Sequence, residues 1–164
     1  MRVQDIMTAD VESCSPDSDL GAAATIMWRR DCGSVPVVDA ERRVIGMITD
    51  RDICMAVSTR NKLASQIKVS EVISGRVYGC APDDRIKDAL ETMQSAQLRR
   101  LPVVSDEGVL QGILSINDVV LHSAPGRSKK HVAHRDVMTT LKVLSEHRQP
   151  EEDGQPPVEE AALI

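Results

Sequence analysis

An internal repeat constrains this 164-residue chain more than any other feature of its sequence. At a single offset, 112 − 46 = 66 residues, positions 3–52 align with positions 69–118 without a gap, and thirteen of the fifty pairs are identical. Many other pairs exchange one apolar residue for another, such as Leu20 for Ile86. A period of this length that occurs twice indicates two copies of one supersecondary unit rather than a long solenoid.

Each copy has the pattern of a β-α-β-β-α unit. In repeat 1 a short apolar turn and a strand near Val11–Cys14 precede Pro16, which ends the strand because it cannot donate to a ladder. Asp17 or Ser18 is predicted to cap the helix that follows. In both repeats this helix carries an apolar stripe at i, i+3, i+4 and i+7: Leu20, Ala23, Ala24 and Met27, and Ile86, Ala89, Leu90 and Met93.

A β-hairpin forms the rest of each unit. The continuous apolar runs Val35–Val38 and Leu101–Val104 predict strands that are buried on both faces. Their predicted partners, Val44–Ile48 and Val109–Leu114, follow short polar turns. A second helix is predicted after each hairpin.

Two matching segments join the hairpins to these second helices. We call Gly46–Asp52 (GMITDRD) the first corner and Gly112–Asp118 (GILSIND) the second corner. In each corner a hydroxyl residue begins the helix and an aspartate lies three residues further on: Thr49 and Asp52, and Ser115 and Asp118. This spacing is that of a capping box, so one interpretation is that the corners only stabilise two helices.

The predicted domains follow from the repeat and from a change of composition after it. We assign residues 1–58 to repeat 1, 59–68 to a linker and 69–123 to repeat 2. Residues 124–149 are predicted to form a basic C-terminal helix, and the acidic, proline-rich residues 150–164 a disordered tail. One face of the predicted helix is apolar: Val137, Met138, Leu141 and Leu144.

Charge and composition argue against a nucleic-acid partner. The chain has 20 basic and 25 acidic residues, and five of the acids lie after Pro150, so the remainder is neutral. Only Arg127–Arg148 is locally basic, whereas binding to a phosphate backbone requires a clustered excess of cations. Aromatic residues make up 1% of the chain, which leaves few rings to stack on bases.

The sequence also lacks the usual marks of a membrane protein, a metalloprotein or an enzyme. No run approaches the ~20 apolar residues that cross a bilayer, and the start MRVQDIMTAD is not a signal peptide. The four cysteines have no metal or redox spacing and are interpreted as reduced, mostly buried thiols of a cytoplasmic protein: Cys14, Cys32, Cys54 and Cys80. His131 and His134 share a helical face but have no evident further ligand, so we expect a surface helix and no metal.

The repeat resembles tandem cystathionine-β-synthase (CBS) domains, a pair often called a Bateman module. The resemblance rests on the β-α-β-β-α order, on the strands VPVVD and LPVVS that start at Val35 and Leu101, and on the G-x-[IL]-[ST]-x-x-D corners. It implies an α/β (α+β) fold in which two CBS repeats pack through their sheets as a pseudo-twofold pair. Family members often bind AMP, ADP, ATP, S-adenosylmethionine or NAD in clefts between the repeats, and some bind nothing.

The resemblance also implies roles for residues of this chain. Asp52 and Asp118 would accept hydrogen bonds from ribose hydroxyls, and Thr49 and Ser115 would lie at helix N-termini that favour phosphate. Family sites combine both repeats, which sets the expected adenine walls. These are Ala9 and Cys32–Val35 (with Gly33 and Ser34 between them) for the Asp118 site, and Gly75 and Leu98–Leu101 for the Asp52 site.

The two expected sites differ in charge. Repeat 2 has Arg99 and Arg100 just before its central strand, at the family position from which basic side chains reach phosphates, whereas repeat 1 has Gly33 and Ser34. In repeat 1, Arg51 could compensate for the missing bases, at the position where repeat 2 has Asn117. Asp50 beside it adds a negative charge where repeat 2 has Ile116. We therefore expect the Asp118 site to be the better phosphate binder.

Three functions remain open from the sequence. The first is a non-catalytic, homodimeric sensor of an adenosine compound that acts on an unknown effector protein. The second is a ligand-free scaffold for dimerisation or docking, in which the corners are only helix caps. The third, a DNA-binding regulator that uses residues 127–148, requires a strongly salt-dependent affinity for DNA.

Overall fold

Two similar α/β units and a C-terminal helix make up the fold, which a computed structural model describes for residues 1–126 and 131–146. Repeat 1 contains α1 (Leu20–Arg30), β1 (Ser34–Val38), β2 (Val44–Thr49) and α2 (Asp50–Arg60). Repeat 2 contains α3 (Ile86–Ser95), β3 (Arg100–Val104), β4 (Leu110–Ser115) and α4 (Ile116–Leu121). The predicted α/β class with two repeats is confirmed.

The two hairpins have the same antiparallel register. Ser34 lies opposite Thr49 in the β1–β2 pair, and Arg100 lies opposite Ser115 in the β3–β4 pair. Each pair also shifts register at the equivalent step, just before its last strand residue. The predicted strand bounds are confirmed to within one residue, because both the apolar runs and the turns between them are local signals.

The strand predicted near Val11–Cys14 is wrong. Cys14 makes one isolated bridge to Val37, with Cys14 N–H donating to the Pro36 carbonyl at 3.0 Å and Val38 N–H to the Cys14 carbonyl at 3.0 Å. Pro16, two residues later, has no N–H and cannot extend the pairing. Cys80 forms the equivalent bridge to Val103 in repeat 2, so each unit is an α-β-β-α element preceded by a bridge.

The predicted cap of α1 is also wrong. Asp19 is the N-cap, and its Oδ1 accepts a hydrogen bond from Ala22 N–H at 2.8 Å. Asp17 and Ser18 lie in a preceding turn that is closed by a hydrogen bond from Ser18 N–H to the Ser15 carbonyl. This turn delays the start of the helix to Leu20, so the cap is one residue later than Ser18.

Each repeat is completed by the first turn of the other repeat. We call the 3₁₀ turns Val3–Asp5 and Val69–Glu71 the leading turns. Val3 N–H donates to the Asp84 carbonyl at 3.0 Å, and Val69 N–H donates to the Ser18 carbonyl at 2.8 Å. These bonds are equivalent under the 66-residue offset, so the exchange of leading turns is reciprocal.

The two hydrophobic cores show the same exchange. Val3 and Ile6 are buried in the core of repeat 2, while Val69 is buried in the core of repeat 1. Ile67, which the sequence assigned to the linker, is 1% exposed in the repeat 1 core, and its carbonyl accepts from Leu20 N–H at 3.0 Å. The two cores are separate, but each contains residues from the leading segment of the other repeat, which joins the two repeats by packing as well as by the chain.

The C-terminal helix α5 (His134–Ser145) packs on repeat 2. It is preceded by a two-residue parallel pair of β5 (Ser123–Ala124) and β6 (Val132–Ala133). Val137, Thr140, Leu141 and Leu144 form its inward stripe, in which Thr140 Oγ1 accepts from Gln94 Nε2 at 2.7 Å.

The prediction that Met138 belongs to this apolar stripe is wrong, because the residue is 54% exposed. It follows Val137 by one helical step, which turns it about 100° away from the core. Residues 127–130 and 147–149 of the predicted basic helix, and the predicted disordered tail 150–164, lie outside the described residues. Within the described part, no helix combines the length and apolar character needed to cross a membrane.

The thiols give a first testable prediction. Burial raises the pKa of Cys14 to about 11, and burial together with nearby Asp84 raises the pKa of Cys80 to about 12. Cys54 is exposed, and Cys32 is half-buried with its Sγ donating to the Ser34 carbonyl at 3.4 Å. We expect iodoacetamide at about pH 8 to label Cys54 first, Cys32 more slowly and the buried pair only after unfolding.

The raised pKa values of Cys14 and Cys80 also predict how the stability of the protein depends on pH. A raised thiol pKa keeps the buried pair protonated at pH values where thiols of the unfolded chain ionise, so stability falls as the pH rises above about 9. Mass spectrometry of the labelled peptides during native labelling would follow each thiol separately. Labelling of Cys80 at the rate of Cys54 would contradict the structure.

Candidate functional site

The first and second corners have the same hydrogen bonds. Asp52 Oδ2 accepts from Thr49 N–H at 2.9 Å and from the Thr49 hydroxyl at 2.6 Å, while Thr49 Oγ1 accepts from Asp52 N–H at 3.1 Å. At the second corner, the corresponding distances between Ser115 and Asp118 are 2.8, 2.6 and 3.2 Å. Both corners are thus complete capping boxes, as that interpretation of the sequence predicted.

Each capping aspartate uses only one of its two carboxylate oxygens in the cap. Among residues 1–126 and 131–146, Oδ1 of Asp52 and Oδ1 of Asp118 have no hydrogen-bond partner. Both side chains are half-buried. A carboxylate oxygen has two lone pairs, so each corner keeps an acceptor that can take two more donors without breaking the cap.

Two arginines lie beside the second corner. Arg100 is opposite Ser115 in the hairpin, and the Arg99 carbonyl accepts from Ile116 N–H at 2.9 Å. Arg100 is half-buried and Arg99 is exposed. Neither guanidinium makes an ion pair or hydrogen bond within the described part of the chain. Two uncommitted cations therefore accompany the free oxygen of Asp118.

At the first corner an acid, Asp50, takes the place of the two bases that lie beside the second corner. Gly33 and Ser34 occupy the positions equivalent to the two arginines, and the Gly33 carbonyl accepts from Asp50 N–H at 3.2 Å. A Cβ atom on Gly33 would lie 3.0 Å from Asp50 Oδ2, so this carboxylate covers the space where a basic side chain would begin. Arg51 and its repeat 2 equivalent Asn117 are both exposed on their helices.

Ser34 carries a buried polar atom with no partner. Its side chain is 5% exposed, and Oγ makes no hydrogen bond to any described residue. Such an atom costs free energy unless water or a ligand satisfies it. Ser34 lies opposite Thr49, so the structure connects it directly to the first corner of its own repeat. Its predicted contribution to the Asp118 site remains a prediction.

The other predicted wall residues differ in burial and in their distance from the corners. Val35 and Leu101 are 1% and 0% exposed in the cores, so neither residue presents its side chain or its backbone at the surface. Ala9 follows Thr8, which pairs with Ile113 of β4 and so brings Ala9 alongside the second corner. Gly75, its equivalent in repeat 2, has a left-handed φ of 70° and open space around it.

Two surface hollows lie away from the capping aspartates. One, of about 620 Å³, lies between the N-terminus, α3 and the start of α5. The other, of about 510 Å³, lies between α1 and α2. Neither is lined by Asp52 or Asp118. The second hollow is lined by Gly33, one of the predicted wall residues, and by Asp50 of the first corner. Sequence reasoning missed the first hollow, which residues distant in the chain form.

Two copies of one α/β unit, each with a capped corner and a borrowed leading turn, define a tandem-repeat module. The family model for the CBS domain matches the chain twice, at residues 3–59 and 69–124. The CBS domain-containing protein YhcV of Bacillus subtilis is 33% identical over 140 residues, which cover 82% of this chain and 97% of YhcV. The chain belongs to the CBS-domain family, as the sequence resemblance predicted.

Solved structures agree with this assignment. Hypoxic Response Protein I, solved with two coordinated zinc ions, is 30% identical and has a TM-score of 0.69; the match covers 76% of this chain and all of that chain. CBSX2, solved in complex with AMP, is 25% identical with a TM-score of 0.63, over 73% of this chain and 93% of CBSX2. In the described part of this chain, no group of three or more histidine, cysteine or acidic residues could hold a metal ion.

Proposed function

We propose that the chain is a non-catalytic regulatory module that binds an adenosine-containing ligand at its second corner. The observation that carries this proposal is the combination found there: a carboxylate oxygen of Asp118 and two arginines, Arg99 and Arg100, whose polar side-chain atoms have no partner among the described residues. Membership of the CBS family and the AMP complex of CBSX2 support the same ligand class.

The ribose contact follows from the cap. Because Oδ2 of Asp118 is held by Ser115, the carboxylate has one orientation, and Oδ1 is presented with both lone pairs available. The two vicinal hydroxyls of a ribose are donors that match these lone pairs. The cap and the ribose contact therefore coexist on one side chain, and the cap reduces the entropy lost on binding.

Charge favours a phosphate at the second corner over the first. Arg99 and Arg100 supply up to two positive charges and several N–H donors, which suit phosphate oxygens. At the first corner Asp50 Oδ2 lies over Gly33, and its charge would repel a phosphate. We propose that the first corner is at most a weaker site, for an adenosine compound without phosphate, with Ser34 Oγ as an additional polar contact.

The proposed module acts as a homodimer on an effector protein. The second candidate is the ligand-free scaffold, which the complete capping boxes and the position of the two hollows away from the aspartates favour. The candidates differ in one property, because only the sensor gains stability from a small molecule.

A thermal-shift panel tests the proposal with AMP, ADP, ATP, adenosine, S-adenosylmethionine and NAD. A ligand at ~100 times its dissociation constant adds about 2.7 kcal/mol to the free energy of unfolding, which raises Tm by several degrees. We expect a phosphate-bearing compound to give the largest shift. The panel gives the same readout for every compound, so the preferred ligand is identified directly.

The variant Asp118→Asn separates ligand binding from capping. The asparagine carbonyl can replace Oδ2 in the cap, while its NH₂ group replaces the free acceptor Oδ1 with a donor. We expect Asp118→Asn to abolish the shift with little change in the Tm of the free protein, and the matched variant Asp52→Asn to retain it. Absence of a shift with every compound would contradict the proposal and favour the scaffold.

A further inference from the structure

The hollow of about 620 Å³ is built from two parts of the chain that are distant in sequence. Residues 85–87, at the start of α3, line one side, and residues 131–133, just before α5, line another. Its volume is in the range of sites that bind small molecules. Residues 131–133 lie outside the two CBS matches, so one wall of the hollow comes from a segment beyond the CBS repeats.

The charges around this hollow leave one cation unmatched. Three bases and two acids belong to the lining, a formal excess of one positive charge: Arg2, Arg85 and Lys87, and Asp83 and Asp136. Arg2 pairs with Asp83 at 3.4 Å, and Lys87 approaches Glu91 at 3.8 Å. The Arg85 guanidinium makes no ion pair or hydrogen bond with any residue in 1–126 or 131–146. Arg85 is therefore the base that remains available to a ligand.

Repeat 1 has an acid where repeat 2 has this base. Asp19 is the equivalent of Arg85, since 19 + 66 = 85, and its Oδ1 caps α1 by accepting from Ala22 N–H at 2.8 Å. No side chain caps α3. A helix N-terminus carries a partial positive charge that an anion stabilises and a cation does not. The position that a carboxylate occupies in repeat 1 thus lacks its anion in repeat 2.

The rest of the lining is mainly apolar. Ile86, Leu90 and Val132 belong to it and are 2%, 1% and 9% exposed. A bare inorganic anion would leave this apolar surface in contact with water, whereas a ligand with an apolar body would cover it. A doubly charged phosphate would exceed the single excess charge and would lie near Asp83 and Asp136. The lining therefore fits one anionic group on an apolar body.

We propose that this hollow binds a small organic acid, a monocarboxylate with an apolar body, whose carboxylate lies at the start of α3 beside Arg85. A guanidinium can donate two parallel hydrogen bonds to a carboxylate. The bound carboxylate takes the place that the Asp19 side chain has at α1, and the body lies against Leu90 and Val132. Neither corner contributes to the lining, so this site is separate from the proposed nucleotide site.

A ligand in the hollow also connects α5 to repeat 2. It contacts α3 on one side and the segment before α5 on the other. The existing polar link between these helices is the hydrogen bond from Gln94 Nε2 to Thr140 Oγ1, at 2.7 Å. Occupancy adds a second link at the other end of α3, and we expect it to slow hydrogen exchange in α5.

An NMR titration of the ¹⁵N-labelled full chain tests the proposal at constant ionic strength, with sodium hexanoate and sodium benzoate as probes. We expect saturable shifts of the amides of residues 85–90 and 131–133, with a dissociation constant of about 1 mM or tighter. Acetate should bind at least about tenfold more weakly, because it has little apolar surface to bury. Hexylammonium has the opposite charge and should not bind.

Three results of this titration would overturn the proposal. The first is the absence of a saturable shift with both acids. The second is equal binding of acetate or tighter binding of inorganic phosphate, which would exclude a role for the apolar lining. The third is a set of shifts confined to residues 115–118, which would place the acid at the second corner instead.

Variants of Arg85 separate a ligand contact from a structural role. Arg85→Asp introduces the carboxylate that caps α1, so we expect it to raise the Tm of the free chain and abolish hexanoate binding. Arg85→Lys keeps the charge and should retain weaker binding. Lys62→Asp is the control, because it changes the net charge equally at an exposed linker residue and should bind hexanoate normally. Unchanged hexanoate affinity in Arg85→Asp would refute the proposal, whatever its Tm.

Discussion

Replacing Val3 with aspartate is expected to destabilise repeat 2, although Val3 belongs by sequence to repeat 1. Its side chain is 0% exposed in the core of repeat 2. A carboxylate at this position would be buried without a partner, which costs several kcal/mol unless the leading turn Val3–Asp5 detaches. We expect a loss of about 3–5 kcal/mol in the free energy of unfolding.

Hydrogen exchange read by mass spectrometry shows which repeat opens. With Val3→Asp, amides of β3 and β4 should lose protection first, while those of β1 and β2 keep more of theirs. Val69→Asp is the matched control at the equivalent position, 0% exposed in the core of repeat 1, and should give the reverse pattern. Equal loss of protection in both repeats for both variants would contradict separate cores and indicate one cooperative unit.

The variant Gly112→Ala is expected to displace the N-terminal segment from β4. A Cβ atom at Gly112 would lie 2.7 Å from the carbonyl oxygen of Thr8 and 3.0 Å from Met7 Sδ. Thr8 and Ile113 exchange two backbone hydrogen bonds of 2.9 Å, so the backbone cannot move away without losing them. We expect a loss of about 2–3 kcal/mol, at the upper end of the range for overpacking.

The equivalent glycine of repeat 1 provides the control. A Cβ atom at Gly46 would also be too close to its neighbour, at 2.9 Å from Ile73 Cδ1, but that atom is the end of a side chain. A rotamer change of Ile73 relieves this closest contact and leaves Ile73 Cβ at 3.2 Å, which requires only a small shift. We therefore expect Gly46→Ala to cost about 1 kcal/mol less than Gly112→Ala. Urea unfolding of the two variants measures the difference. A larger loss for Gly46→Ala would be incompatible with the described packing.

Local features of the fold were predictable from the sequence. The hairpins and both capping boxes depend on residues that are close in the chain, so periodicity and spacing were sufficient to place them. The stripe on α5 was predicted correctly except for Met138, which shows that an apolar residue near a stripe need not face the core. The prediction of a strand near Val11–Cys14 was wrong, because a segment that makes one isolated bridge has the same apolar pattern in the sequence as a strand.

The exchange of leading turns was not predictable from this one sequence. The two turns are so similar that either repeat could be completed by its own turn or by that of the other. Only the three-dimensional path of the chain decides between these arrangements. The candidate site had a similar limit. Within the described residues an oxygen of Asp118 and the guanidinium of Arg100 have no partner, and spacing in the sequence does not reveal such properties of side-chain geometry.

The reciprocal exchange also bears on how such a chain could arise. A gene that encoded a single repeat would produce a protein whose leading turn could complete the core of a second molecule, as each leading turn here completes the core of the other repeat. Two such molecules that lent each other this turn would already have had the arrangement now seen between Val3 and Asp84 and between Val69 and Ser18. Gene duplication and fusion would then have converted such a pair of chains into one, without requiring a new contact.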